Sequence, residues 1–172
     1  MWFMAHTGCR LNEAVSASWS QFDLEKKTWT IPGRTRKNTT GIKQYPDLII
    51  TLPPQVINLL RELEASKKGA YVFSLTEAKL GNWDRNAKPL QEITTVIDWH
   101  RHDIRHYFKT TLTALGVTEE VAEEALGHVK KGVGGVYNHY RYPNERAAAL
   151  IKLANHLEKL TEKQLDLEKV AD

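Results

Sequence analysis

The sequence predicts an α+β domain, predominantly helical, with a small antiparallel β-sheet near its N-terminal third. Three observations predict it. Apolar residues recur at helical spacing through most of the 172-residue chain. Between residues 18 and 53 that period gives way to short apolar runs closed by Pro32-Gly33 and Pro53-Pro54. Apolar residues make up 41% of the chain and include five Trp, enough for one sizeable core.

In chain order, Trp2, Phe3 and Met4 read as a buried helix that Gly8 ends. Arg10 to Ala17 form the next helix, with Leu11, Ala14 and Val15 as its inward stripe. Trp29-Thr30-Ile31 and Leu48-Ile49-Ile50-Thr51-Leu52 read as strands. The run between them, RTRKNTTGIKQ, is polar and basic, with Asn38 and Gly41 available for turns. Residues 54–68 are amphipathic, turning Val56, Leu59, Leu60 and Leu63 inward and Arg61, Glu62 and Lys67 outward. Tyr71-Val72-Phe73 is a short apolar segment, residues 74–88 are irregular, and Ile93 to Trp99 resume helical spacing.

From His102 to Leu115 a stripe of Ile104, Phe108, Leu112 and Leu115 predicts a helix, with Tyr107 also facing the core. Thr118 followed by Glu119 and Glu120 reads as an N-cap with acids in the first turn, opening a helix to Leu126. Gly127 breaks that helix and leaves His128 on the turn. VKKGVGGV suits a mobile connection, and a helix carrying Tyr137 follows. Residues 144–163 form a last amphipathic helix before a charged tail.

Charge and composition narrow the function classes. The net charge is only +3, with a pI near 8.9, which excludes a strongly basic DNA-coating protein. Local clusters (Arg34, Arg36, Lys37, Lys43; Lys130, Lys131; Arg101, Arg105) matter more, because phosphates are met by patches. One cysteine excludes an internal disulfide, no apolar run reaches membrane-spanning length, and MWFMAHTG lacks the pattern of a secretion signal. The cytoplasm is the expected location.

A first group of candidate site residues lies in the second half of the chain. His102 and Arg105 are three apart on one predicted helix, so both can point at one small target. A guanidinium beside an imidazole suits an anion such as phosphate. The same spacing is also that of a solvated surface pair. His102 and His106 stand at i, i+4, a spacing found in metal sites, but the Glu of a zinc-protease helix and a third ligand are missing.

These residues come with company. Thr7-Gly8-Cys9-Arg10-Leu11-Asn12-Glu13, a lysine in a turn between two strands, His102-Asp103-Ile104-Arg105, Leu126-Gly127-His128, and Tyr137 nine residues later stand in this order. The pattern TGxRxxE, turn lysine, HxxR, LGH and tyrosine resembles the catalytic domain of the tyrosine recombinases, the phage integrase family. The wording LGHVKKGVGGVYNHYRY is similar to integrases of prophages and genomic islands. The resemblance spans roughly residues 1–155.

The resemblance implies a DNA breaking-rejoining catalytic core over residues 1–160, with 161–172 as a C-terminal tail. It implies a site-specific recombinase that works through a 3′-phosphotyrosine, with Tyr137 as nucleophile ahead of Tyr140 and Tyr142. Arg10 and Arg105 then clamp the phosphate, and His102 and His128 attend the tyrosine proton and the phosphate. Lys37 protonates the leaving 5′ oxygen, with Lys43 as the runner-up, and Glu13 supports the arginines or is a plain surface glutamate. Arg34, Arg36, Lys43, Lys130 and Lys131 are the expected DNA-backbone contacts. No step calls for a metal or cofactor.

The implied partners are double-stranded DNA attachment sites, other protomers in a recombination tetramer, and accessory DNA-bending proteins. The family's amino-terminal DNA-binding modules have no counterpart ahead of Trp2, so the chain is expected to be a fragment that binds DNA weakly by itself. Other readings are a type IB topoisomerase, which shares the chemistry, and an inactive DNA-binding remnant. A metal-dependent nuclease would need a carboxylate cluster that the sequence does not display.

Overall fold

The computed structural model describes residues 1–36, 45–74, 76–81, 88, 99–128 and 141–171, the last eight as backbone. Among them the chain is mostly helical, with one three-stranded antiparallel sheet ordered β1-β2-β3. The elements are α1 (Trp2–Thr7), α2 (Leu11–Val15), β1 (Phe22–Asp23), β2 (Thr28–Ile31), β3 (Leu48–Thr51) and α3 (Pro54–Ala65), then α4 (Asp103–Ala114), α5 (Glu119–Ala125) and α6 (Pro143–Ala171).

The sheet shows why the apolar runs become strands. Residues alternate faces in a strand, so Trp29 and Ile31 share one side of β2. Their antiparallel partners are Ile50 and Leu48. All four are buried, while Ile49 points out and is 50% exposed. Pro53 and Pro54 end the sheet and start α3, with Pro54 in the first helical turn, where no amide donor is needed.

Trp29 is the hub of the core. Phe22 stacks on it at 5.4 Å, and Phe3 from α1 meets it at 5.1 Å and Phe73 at 4.8 Å. Phe108 and Leu112 of α4, Leu60 of α3 and Leu153 of α6 are fully buried. Burial of each such side chain contributes about 1.5–3 kcal/mol. The helices therefore close over one side of a sheet whose own strands are short.

Four features differ from the sequence reading. Strand β1 was not expected: it is two residues long and too short to show alternation. Helix α2 is shorter than Arg10–Ala17, because Arg10 is extended (φ −76°, ψ 153°) and serves as its N-cap. Helix α6 runs through Ala171 instead of giving way to a tail. No Gly or Pro follows Pro143, and Leu, Glu, Lys and Gln favour helix. Finally, Tyr107 is 43% exposed rather than core-facing, since the buried stripe of α4 is Arg105, Phe108, Thr111 and Leu112. The expected helices of residues 93–99 and around Tyr137 lie, save Trp99, outside the described residues.

Candidate active site

The site is assembled from element ends. Helix α1 stops at Gly8, which adopts the left-handed conformation (φ 64°) and donates its amide to the Met4 carbonyl. A side chain there would collide with the Phe108 ring, 2.8 Å from an added Cβ. The bend turns the Gly8 carbonyl toward α4 and delivers Arg10 to the start of α2.

Glu13, in the first turn of α2, reaches back to its N-cap. Its carboxylate accepts from the Arg10 amide at 2.6 Å and from Arg10 Nη1 at 3.2 Å. The residue is buried, so it supports the arginine and is not a surface glutamate. Arg10 keeps 30% of its side chain exposed.

Arg105 sits on the inward stripe of α4. Its Nη1 donates to the Gly8 carbonyl, and its Nη2 donates to Leu126 O at 2.6 Å and approaches His128 Nε2 at 3.0 Å. One planar fork thus ties α1, α4 and the end of α5 together. Burial first, and then neighbouring Arg10, push the Arg105 pKa down to about 10. A cation held at a cost among other cations favours an anion beside it.

The LGH turn has a local cause. Helix α5 ends with the His128 amide donating to Glu123 O and the Gly127 amide to Glu124 O, each at 3.0 Å. This is a Schellman motif, whose residue after the cap must be left-handed, and Gly127 has φ 65°. The motif places His128 immediately beyond the helix, with Nδ1 2.5 Å from Glu123 Oε2. Burial, with Arg105 and Arg10 nearby, holds its pKa below the ordinary histidine value against the opposing pull of Glu123. Beyond residues 129–140, Arg141 Nη1 donates to buried Glu124 at 3.3 Å. Arg146 bonds the carbonyls of Glu124 and Ile49.

The remaining expected residues fall into three groups. His102 stands at the N-cap position of α4 with an exposed side chain, its ring edge-on to His106 at 4.8 Å, whereas Arg105 is buried. Arg34 is exposed, as a DNA contact requires. Arg36 is not placed as a surface contact. It is buried, with Nη2 on Gly127 O, Nη1 on Pro46 O at 3.2 Å, Nε 3.9 Å from Glu13 and its cation 5.3 Å from the Tyr45 ring. Lys37, Lys43, Lys130, Lys131, Tyr137 and Tyr140 lie outside the described residues.

Two residues of the site were missed by sequence reasoning: Arg36 as an internal strut, and Glu123 as the partner of His128. Neither has a periodic signal, because the Glu123 contact crosses the left-handed Gly127 and those of Arg36 join segments distant in the chain. Together Arg10, Arg36 and Arg105 surround Glu13, the carboxylate that acts on all three. Positive charge is therefore in excess at this point. Among the described residues, no three His, Cys, Asp or Glu side chains gather as a metal site. No described helix is long and apolar enough to cross a membrane.

Solved structures share the fold. The integrase from mycobacterium phage Brujita is 18% identical, with a TM-score of 0.64 over 88% of this chain and 49% of its own. XerA recombinase is 20% identical, with a TM-score of 0.58 over 89% of this chain and 54% of its own. The Tn1549 transposon integrase, solved in complex with a circular intermediate DNA, is 16% identical, with a TM-score of 0.57 over 74% of this chain and 49% of its own. The chain spans about half the length of these structures and shares the fold of that half. No curated protein matches it. The phage integrase family matches residues 1–143, most of its length, and the chain belongs to that family.

Proposed function

We propose that this chain is the catalytic part of a site-specific DNA recombinase that cuts and rejoins DNA through a 3′-phosphotyrosine. The observation that carries the proposal is the excess of positive charge around Glu13, with Arg10 half-exposed and Arg105 held rigidly behind it. A phosphodiester supplies the missing negative charge. As it becomes pentavalent its non-bridging oxygens gain charge, and preorganised guanidinium donors stabilise that state by several kcal/mol in a closed site.

Tyr137 is the nucleophile. Its phenol has an ordinary pKa of about 10, so it needs help to lose its proton. The phenolic oxygen forms a bond to phosphorus, the P–O5′ bond breaks, and Lys37 gives a proton to the leaving oxygen. The 5′-hydroxyl of a new strand reverses each step, so the phosphodiester is conserved without hydrolysis. His102 and His128 attend the phosphate and the tyrosine, and Arg34, Lys43, Lys130 and Lys131 contact the backbone. The chain acts on double-stranded attachment sites in a tetramer aided by DNA-bending proteins, in the cytoplasm.

A nicked suicide substrate carrying the element's own junction tests this, with EDTA present. The wild type is expected to give a covalent protein–DNA band on a denaturing gel, and Tyr137→Phe none. A band that survives in Tyr137→Phe refutes the choice of nucleophile. Absence of a band from the wild type overturns the recombinase reading.

A further inference from the structure

Glu123 has no part in the reaction just described, yet its carboxylate is aimed into the site. Its Oε2 lies 2.5 Å from His128 Nδ1, and its Oε1 lies 2.5 Å from Lys109 Nζ. Lys109 also bonds Glu119 at 3.1 Å, so the ammonium holds the carboxylate from the side away from the imidazole. On the opposite edge of the ring, Nε2 is 3.0 Å from Arg105 Nη2.

The donors and acceptors close in one way. A guanidinium has donors and no acceptor, so the Nε2 facing it must offer a lone pair. A neutral imidazole then carries its single proton on Nδ1, where a carboxylate oxygen accepts it. The other tautomer would set Nε2–H against an arginine N–H, and the Nδ1 lone pair against a carboxylate. An imidazolium would repeat the first of these clashes. Arg105 and Arg10 face the ring from the arginine side and Glu123 from the helix side.

We propose that Glu123 is a positioning residue that locks His128 as its Nδ1–H tautomer, so that Nε2 faces the arginine pair as a proton acceptor. When the ring takes a proton at Nε2 it gives up its contact with Arg105 Nη2, which keeps its bond to the Leu126 carbonyl, and the resulting imidazolium keeps its Nδ1–H on the Glu123 carboxylate. A carboxylate that orients a histidine in this manner both selects the tautomer and stabilises the cation that forms. The catalytic half of the inference rests on the recombinase reading. There, the phenolic proton of Tyr137 passes to His128 Nε2 as the O–P bond forms, while the leaving O5′ takes its proton from Lys37. Both protons return on rejoining.

The tautomer is measurable without DNA. In the full 15N-labelled chain near pH 8, long-range 1H–15N correlations distinguish a protonated ring nitrogen from an unprotonated one, and His128 is assigned by its absence in His128→Asn. The expected result is a protonated Nδ1 and a bare Nε2 in the wild type; in Glu123→Ala the ring is no longer held against Arg105, so it turns away and carries its proton on Nε2. A wild type that carries its proton on Nε2, or a tautomer unchanged in Glu123→Ala, overturns the proposal. On the suicide substrate, Glu123→Ala is expected to form the covalent adduct about 10- to 100-fold more slowly, by analogy with the loss of a carboxylate that orients a metal-bound histidine. Adduct formation at the wild-type rate overturns the catalytic role. Failure of the wild type to react at all refutes the recombinase reading alone, because the ring nitrogens still report the lock.

Discussion

Arg34 and Arg36 are two residues apart, carry the same charge and were both expected on the DNA, yet the structure gives them opposite work. Replacing Arg36 by Met removes its charged donors from the Gly127 and Pro46 carbonyls. Hydrogen bonds of that kind contribute about 1.5–3 kcal/mol each. The Tyr45 ring beneath the guanidinium adds about 0.5–2 kcal/mol. Against these stands relief from burying a cation whose pKa is lowered by desolvation and by nearby Arg10 and Arg141. The expected net is a loss of about 2–4 kcal/mol, since an internal network has lost a partner. For a chain of this size that lowers Tm by about 5–15 °C. Arg36→Lys recovers little, because one ammonium cannot span two carbonyls as the planar fork does. Arg34→Met is expected to leave stability within about 0.5 kcal/mol and to reduce the salt dependence of DNA binding by about one phosphate contact. Urea unfolding and DNA titrations at several salt concentrations read the two effects separately. Stability in Arg36→Met within 0.5 kcal/mol of wild type, or a salt slope that falls with Arg36 and not with Arg34, would refute the assignment of an internal strut.

Other outcomes follow from glycine geometry and from two histidines, His6 and His128. Gly8 and Gly116 both have left-handed backbones (φ 64° and 79°), but an added Cβ at Gly8 meets the Phe108 ring at 2.8 Å while one at Gly116 meets nothing within 4 Å. Gly116→Ala should therefore cost about 1–2 kcal/mol from the backbone alone, and Gly8→Ala about 3–5 kcal/mol once ring displacement is added. Equal midpoints in a denaturant titration would count against the close packing of Gly8 on α4. His6 and His128 are both held below the ordinary histidine pKa of 6.5, chiefly by burial. Each binds a proton less readily folded than unfolded, so stability falls as pH drops below about 6.5 toward their folded values. Calorimetry between about pH 7 and 5 should show a shallower decline in His128→Asn than in wild type; an identical slope would mean that folding leaves the proton affinity of His128 unchanged.

What was legible in the sequence, and what was not, divides along a physical line. Helices announce themselves through repetition, so Phe108 and Leu112 could be placed in the core from spacing alone. Tyr107 could not, because one residue is a rotation of about 100° and separates the buried stripe from the exposed flank. Caps and turns are also local, which is why Gly8, Thr118 and Gly127 mark their boundaries correctly. Partner choice is not local. Arg34 lies within a 3₁₀ turn, Gly33–Thr35, and Arg36 caps its end, so strand alternation does not predict which of them turns inward. Glu123 meets His128 five residues later only because the Schellman turn folds the chain back on itself. The site is built where periodic elements end: the Gly8 bend, the N-cap of α2, the first turn of α4 and the last turn of α5. Repetition stops at such places, and the side chains there are held by carbonyls and carboxylates from distant segments. Motif spacing can therefore single out Arg10, Arg105 and His128, which the fold brings near one another. The proton on His128 and the burial of Arg36 depend on hydrogen-bond inventories that exist only once those segments have met.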